Sequence, residues 1–111
     1  MERFYPLRVL ICDRCLLVQL AEYVVPDDIF TEYAYFSSYS PSWVEHARRY
    51  CVAMIERFGL GAGHQVVEIA SNDGYLLRWF VERGVPVLGV EPAANVAEVA
   101  RERGIRTVAE F

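Results

Sequence analysis

Val66-Val67-Glu68-Ile69-Ala70-Ser71-Asn72-Asp73-Gly74-Tyr75 is a short β-branched run that breaks into small polar residues and a glycine before the sequence turns helical. A strand, a ligand-binding loop and a helix in succession have this pattern. Working outward, residues 65–70 are read as the strand and Tyr75 to Arg83 as the helix, with Gly84 in the C-terminal capping place. Val85-Pro86-Val87-Leu88-Gly89-Val90 follows as a second strand. Ala93 to Arg103 is read as a second helix with Val96, Val99 and Ala100 inward and Gly104 as its stop, and Ile105-Arg106-Thr107-Val108 begins a third strand. The order β-α-β-α-β with short connections predicts an α/β fold, part of a Rossmann-like parallel sheet with right-handed crossovers.

Upstream lies a helix with two possible starts: Ser42-x-x-Glu45 as a capping box, or Ser40 as cap with Pro41 in the first helical position. Trp43, Ala47, Tyr50, Cys51, Met54, Ile55 and Phe58 recur at helical spacing and form its apolar stripe, and Gly59 with Gly61 ends it. Cys51 on that stripe is read as a core residue. His46, among Glu45, Arg48 and Arg49, is read as solvated.

The first residues read differently. Leu7-Arg8-Val9-Leu10-Ile11 and Leu16-Leu17-Val18-Gln19-Leu20 are two short strands around Cys12-Asp13-Arg14-Cys15. Cysteines two apart at a tight turn aim both thiolates at one point and form half of a zinc ribbon. A structural zinc takes four ligands, and His46 and Cys51 lie five apart on poorly matched helix faces. The competing reading is two cysteines buried in a hairpin. A redox Cys-x-x-Cys would open a helix, whereas β-type sequence follows this one. Val25-Pro26-Asp27-Asp28 is a turn signal, and Tyr33-Ala34-Tyr35-Phe36-Ser37-Ser38-Tyr39-Ser40-Pro41 is rich in phenols and hydroxyls. Such a stretch suits the lining of a site or a linker packed on the domain. The chain therefore divides into an incomplete zinc-binding hairpin over 1–24, an aromatic segment over 25–42 and a sheet domain over 43–111.

Composition excludes several classes. Apolar residues make up 54% of the 111, enough for an ordinary core, and the net charge is −4 with Lys and Arg scattered among acids. Nucleic acid is thus an unsuitable partner, because phosphate binding relies on clustered cations. No apolar run approaches the roughly 18 residues of a membrane span, and Met1-Glu2-Arg3-Phe4-Tyr5-Pro6 has no signal-peptide stretch, so the cytoplasm is the expected location.

In an open parallel sheet the ligand sits beyond the carboxyl ends of the strands, where this chain has the Ala70-Ser71-Asn72-Asp73-Gly74 loop and Glu91-Pro92. A carboxylate there can accept from both hydroxyls of a ribose, in NAD and S-adenosylmethionine enzymes alike. Dinucleotide binding needs G-x-G-x-x-G, and Ala70, Asn72 and Tyr75 stand where those glycines belong. S-adenosylmethionine has no pyrophosphate to cradle, so the loop favours it. Glu68, amid Val66, Val67 and Ile69, is expected to have a partner such as a loop amide, since an unpaired buried acid is costly. Asn72 and Asp73 also fit plain turn formers, and Glu91 a helix-capping acid.

Pro6-Leu7-Arg8-Val9 through Cys12-x-x-Cys15-x-x-Val18-Gln19-Leu20, Tyr33-x-Tyr35-Phe36-Ser37-Ser38, Glu68 to Gly74 and Gly89-Val90-Glu91-Pro92 together resemble the NDP-sugar C-methyltransferases of deoxysugar biosynthesis. The resemblance implies a zinc-binding module with two Cys-x-x-Cys pairs, a central S-adenosylmethionine-dependent domain and a C-terminal domain. It matches Cys12 and Cys15 to the second cysteine pair as metal ligands. It matches Glu68, Ala70, Asn72, Gly74, Glu91 and Pro92 to the cofactor site, and Tyr35, ahead of Tyr33, to an active-site tyrosine near the sugar. The implied substrate is a nucleotide-linked keto-deoxysugar, methylated by attack of its enolate on the cofactor methyl. By the same resemblance the first cysteine pair and the histidine base are missing from this sequence, so the chain is expected to be a piece of a longer enzyme that neither closes a zinc site nor turns over. The rival readings are a NAD-dependent sugar-nucleotide oxidoreductase fragment and a non-catalytic zinc-ribbon interaction module.

Overall fold

The computed structural model describes residues 4–21, 23–25 and 29–110. The turn read at Pro26-Asp27-Asp28 lies outside them. Strands β1 (Val9–Ile11) and β2 (Val18–Leu20) form an antiparallel hairpin with Val9 opposite Leu20, as the sequence suggested, and every residue of both strands is exposed. A 3-10 turn at Ser37–Tyr39 leads into helix α1 (Pro41–Phe58). Then come β3 (Val66–Ile69), α2 (Leu77–Val81), β4 (Val87–Val90), α3 (Ala94–Glu102) and β5 (Thr107–Val108). β3, β4 and β5 lie side by side in that order, all parallel, with Val66 opposite Val87 and Gly89 opposite Thr107.

The ends of α1 show which signal governs. Ser40 caps it, its hydroxyl accepting the Trp43 N–H at 3.4 Å, with Pro41 in the first turn. The alternative box does not form, because Glu45 is held by Arg48 at 2.7 Å and Arg49 at 2.9 Å. Gly59, in the left-handed region, donates its N–H to the Ile55 carbonyl and stops the helix.

One face of the sheet packs on the helices. Leu77 and Phe80 of α2, Cys51 of α1, Ala100 of α3 and Val85, Val87 and Ile105 make a single buried cluster, with Met54, Ile55, Val66 and Trp79 against it. Cys51 is fully buried, as expected. In α3, Val96 and Ala100 are buried as read, Ala97 joins them, and Val99 is only half-buried. The stripe read along α1 is a correction: Ala47 and Cys51 are buried, but Trp43, Tyr50 and Phe58 are exposed. Tyr50 and Phe58 face a groove beside β3, whose outer edge pairs with no strand among the described residues. On the other face of the sheet Val67 and Ile69 are exposed.

Gly74 ties the loop to this core. Its φ is +75°, and a Cβ there would run into the end of the Ile105 side chain, which is 1% exposed and would have to repack within the core. Gly74→Ala should therefore destabilise the chain by about 2–4 kcal/mol, combining left-handed strain with overpacking. A urea melt with an unshifted midpoint would show that Ile105 yields freely.

Candidate functional site

The carboxyl ends of β3 and β4 open into a cavity of about 510 Å³ lined by Phe30, Tyr33, Tyr35, Ser37, Trp43, Ala70, Asn72, Tyr75, Glu91 and Pro92. That volume is within the range of small-molecule sites, roughly 300–1,000 Å³. Glu91 follows β4 directly and is 5% exposed. One carboxylate oxygen accepts the Asn72 N–H at 2.8 Å and the other accepts the Ala93 N–H at 2.9 Å. The acid thus both ties the loop and caps the start of α3, and each oxygen keeps a lone pair for a ligand hydroxyl.

The loop is built on unusual backbone. Ala70 and Asn72 have φ of 59° and 50°, positions that non-glycine residues rarely take. Asn72 suits this better than most, and its amide is fully used: the oxygen accepts the Ser37 N–H at 2.8 Å and the nitrogen donates to the Tyr35 carbonyl at 3.1 Å. Asp73 is fully buried and accepts from Arg103 at 2.9 Å and from the Ser38 hydroxyl and N–H. Arg103 also donates to the Asp73 carbonyl at 3.1 Å. A third attachment comes from Asn95 on α3, whose amide accepts the Tyr33 N–H at 3.0 Å and donates to the Tyr33 carbonyl at 2.7 Å. These contacts lay the aromatic segment across the loop and the start of α3.

The cavity walls are aromatic. Trp43 packs tilted against Tyr75 with ring centroids 6.1 Å apart and stacks on His46 at 5.1 Å. His46 is exposed, as read, though covered on one face by that stack. Burial pushes the Tyr75 hydroxyl above its ordinary value, with the nearby charge of Glu68 adding to it. No Lys or Arg stands among the lining residues.

Of the residues singled out from sequence, Tyr35, Ala70, Asn72, Glu91 and Pro92 meet in this cavity, and Tyr33 joins them. Gly74 does not line it; its place is the close packing on Ile105. Glu68 is also elsewhere. Its side chain lies on the helix-facing side of β3 and borders the groove beside α1. The expected loop-amide partner is absent: one Glu68 oxygen is buried without a hydrogen bond, while the Asn72 amide goes to Glu91. Burial, with the charge of Glu91 next, pushes the Glu68 carboxyl up to about 8. Sequence reading missed Phe30, Trp43 and Tyr75 as cavity walls, and Arg103 and Asn95 as anchors. Trp43 was hidden in an apparently apolar stripe, whereas no local pattern announces Arg103 or Asn95.

Cys12 and Cys15 sit at the hairpin turn, closed by Cys12 N–H to Leu17 carbonyl and Leu16 N–H to Cys12 carbonyl bonds, both 3.0 Å, with Leu16 at φ 61°. Cys15 is exposed and Cys12 partly so, which removes the reading of two buried cysteines. N–H groups of Cys15 and Arg14 hold the Cys12 thiol below its ordinary value, the state a metal ligand needs. Among the described residues no three His, Cys, Asp or Glu side chains gather as a metal site.

Residues 1–30 match a family described as a zinc binding domain. The C-methyltransferase NovU of Streptomyces niveus is 41% identical over 107 residues, a match that takes in 96% of this chain and 26% of that protein. This chain is similar to a quarter of that C-methyltransferase. It spans about a quarter of the length of the curated relative it matches. Among solved structures, the YcgJ protein of Bacillus subtilis covers 58% of this chain and 29% of its own at 24% identity and a TM-score of 0.46. The relative's alignment includes the hairpin, the aromatic segment and the loop together, because so few residues of the chain fall outside it. No helix among the described residues is long and apolar enough to cross a membrane.

Proposed function

We propose that this chain carries the S-adenosylmethionine site of a C-methyltransferase acting on a nucleotide-linked keto-deoxysugar. The observation that carries the reading is Glu91: a buried carboxylate at the end of β4, flooring an aromatic cavity that no Lys or Arg lines among the described residues. Glu91 fits the two hydroxyls of a ribose, and the loop, with Ala70, Asn72 and Tyr75 where a dinucleotide site has glycines, favours S-adenosylmethionine over NAD. The resemblance to a C-methyltransferase supports the same choice.

When bound, S-adenosylmethionine supplies an electrophilic methyl group. Glu91 accepts the ribose hydroxyls, Ala70, Asn72 and Pro92 shape the wall beside it, and Trp43 and Tyr75 exclude water. The chemistry the cofactor would supply is methyl transfer to carbon. A base from outside the described residues would take the proton alpha to the sugar ketone, and the enolate carbon would bond to the methyl as its bond to sulfur breaks, leaving S-adenosylhomocysteine. Tyr35, half-exposed at the cavity mouth, donates a hydrogen bond to the enolate oxygen as its charge develops. Cys12 and Cys15 supply two thiolates of a structural zinc site that draws its other two ligands from outside the described residues. Metal analysis should find weak or no zinc in the chain as it stands and full occupancy only when a second cysteine pair is supplied, an occupancy that Cys12→Ser should abolish. Occupancy kept in full by Cys12→Ser would reject that role.

Calorimetric titration tests the cofactor. S-adenosylhomocysteine should bind at least about tenfold tighter than NAD, a difference of roughly 1.4 kcal/mol. Tighter binding of NAD would favour the oxidoreductase reading, and zinc retention with affinity for neither would favour the interaction module.

A further inference from the structure

We infer that Asn72 couples the occupancy of Glu91 to the seating of Tyr35. Three hydrogen bonds run through this one residue. Its backbone N–H is held by the Glu91 carboxylate at 2.8 Å, its amide nitrogen holds the Tyr35 carbonyl at 3.1 Å, and its amide oxygen holds the Ser37 N–H at 2.8 Å. Among the described residues of the cavity wall, no other residue hydrogen-bonds to both the acid and the aromatic segment.

The residue type is dictated by this double grip. The partners are one carbonyl and one N–H, met by two different side-chain atoms, and a short amide places an acceptor and a donor on separate atoms where a hydroxyl has only one. The backbone at φ 50° adds a second constraint, since Asn is among the few non-glycine residues that settle there. Asn72 is also 7% exposed, so water does not readily replace either partner. Asn95 grips the same segment at Tyr33 from α3, but it has no recorded bond to Glu91 and lies at the surface. The segment is thus held at two points, of which only one is linked to the acid.

Asn72 is then a positioning residue. A ligand that hydrogen-bonds to Glu91 immobilises the carboxylate, the carboxylate fixes the loop amide, and the loop fixes the backbone on both sides of Phe36. Openings that lift the segment while breaking the Glu91 contact become rarer in proportion to ligand occupancy. A methyl acceptor would meet Tyr35 in its working position only once the cofactor half of the cavity is filled. This inference rests on the proposed reading of Glu91 as the ribose-binding acid.

Amide hydrogen exchange on the full chain, free and saturated with S-adenosylhomocysteine, tests it. In the unaltered chain the ligand should slow exchange of the Ser37 amide at least about tenfold, with a ceiling near 100-fold at a hundred times the dissociation constant. Asn72→Gly keeps the left-handed backbone and removes both side-chain bonds. Its Ser37 amide should exchange faster without ligand and, at saturation, show no ligand-dependent slowing. Asn72→Asp keeps the acceptor for the Ser37 N–H and loses only the donor to Tyr35, so its Ser37 amide should keep a ligand response that Asn72→Gly lacks. Asn95→Ala should free the Tyr33 amide and leave the Ser37 response intact. Undiminished slowing at Ser37 in saturated Asn72→Gly overturns the coupling. Failure of the unaltered chain to bind S-adenosylhomocysteine, seen by titration alone, overturns the reading of Glu91 and the coupling with it.

Discussion

Glu91→Ala should lower the unfolding free energy by about 2–6 kcal/mol, because two buried N–H groups lose their acceptor at about 1–3 kcal/mol each. The donors are Asn72 and Ala93, both nearly inaccessible to water, at 2.8 and 2.9 Å from the carboxylate. A chain of this size has about 5–15 kcal/mol of stability in all, so the loss would be visible at once in a urea midpoint. Glu91→Gln keeps one acceptor and turns the other toward an N–H it cannot satisfy, so its loss should be smaller. Both variants should fail to bind S-adenosylhomocysteine under conditions where they are folded. An unshifted midpoint for Glu91→Ala would mean that the two amides find water, and that the acid does not organise the loop.

Stability should also fall as pH rises from about 4.5 toward 8, with Glu68 as the cause. Its carboxyl is held up to about 8 by burial first and by the charge of Glu91 second, whereas the unfolded chain titrates near 4.5. Between those values the folded form binds a proton that the unfolded form has released, so the sign is fixed: full stability below the lower value, progressive loss through the interval, and no further loss above the upper one. The total is on the order of a few kcal/mol, at 1.36 kcal/mol per unit and with some screening at a partly accessible group. Glu68→Gln cannot ionise and should flatten this profile, so that near pH 8 it is the more stable protein by that same margin. Removing the Glu91 charge in Glu91→Gln should lower the Glu68 carboxyl toward its usual range, so the fall with pH should be smaller and end at a lower pH. Parallel urea profiles for the unaltered chain and Glu68→Gln from pH 5.5 to 8.5 would show that the buried oxygen finds solvent.

These two acids show how far local reading reaches. Both stand in strand-and-loop patterns plain in the sequence, and both were expected near a cofactor. Periodicity places a residue on a strand but not against a particular neighbour, so it could not decide which acid takes the loop amide. Glu91 takes it, and Glu68 is left without a partner on the helix side of β3. The same limit explains α1. Helical spacing grouped Trp43, Tyr50 and Phe58 with Cys51, but burial depends on what lies opposite: Cys51 meets α2 and the sheet, Trp43 meets the cavity, and Tyr50 and Phe58 meet an unpaired strand edge.

The chain's own order of residues determined the alternation of strands and helices, the parallel sheet, the hairpin with its cysteine turn, and the loop and acid at the strand ends. Each of these follows from local causes, namely β-branched runs, helical periodicity, and Ser, Pro and Gly at the ends of elements. Only the tertiary structure decided that Asn72 grips the aromatic segment, that Asp73 and Arg103 fasten Ser38, and that Gly74 is needed for Ile105 and not for a ligand. The partners in those contacts lie about thirty or more residues apart in sequence. The loop's small polar residues announce a turn, but what a turn holds is set by the chain that folds back over it.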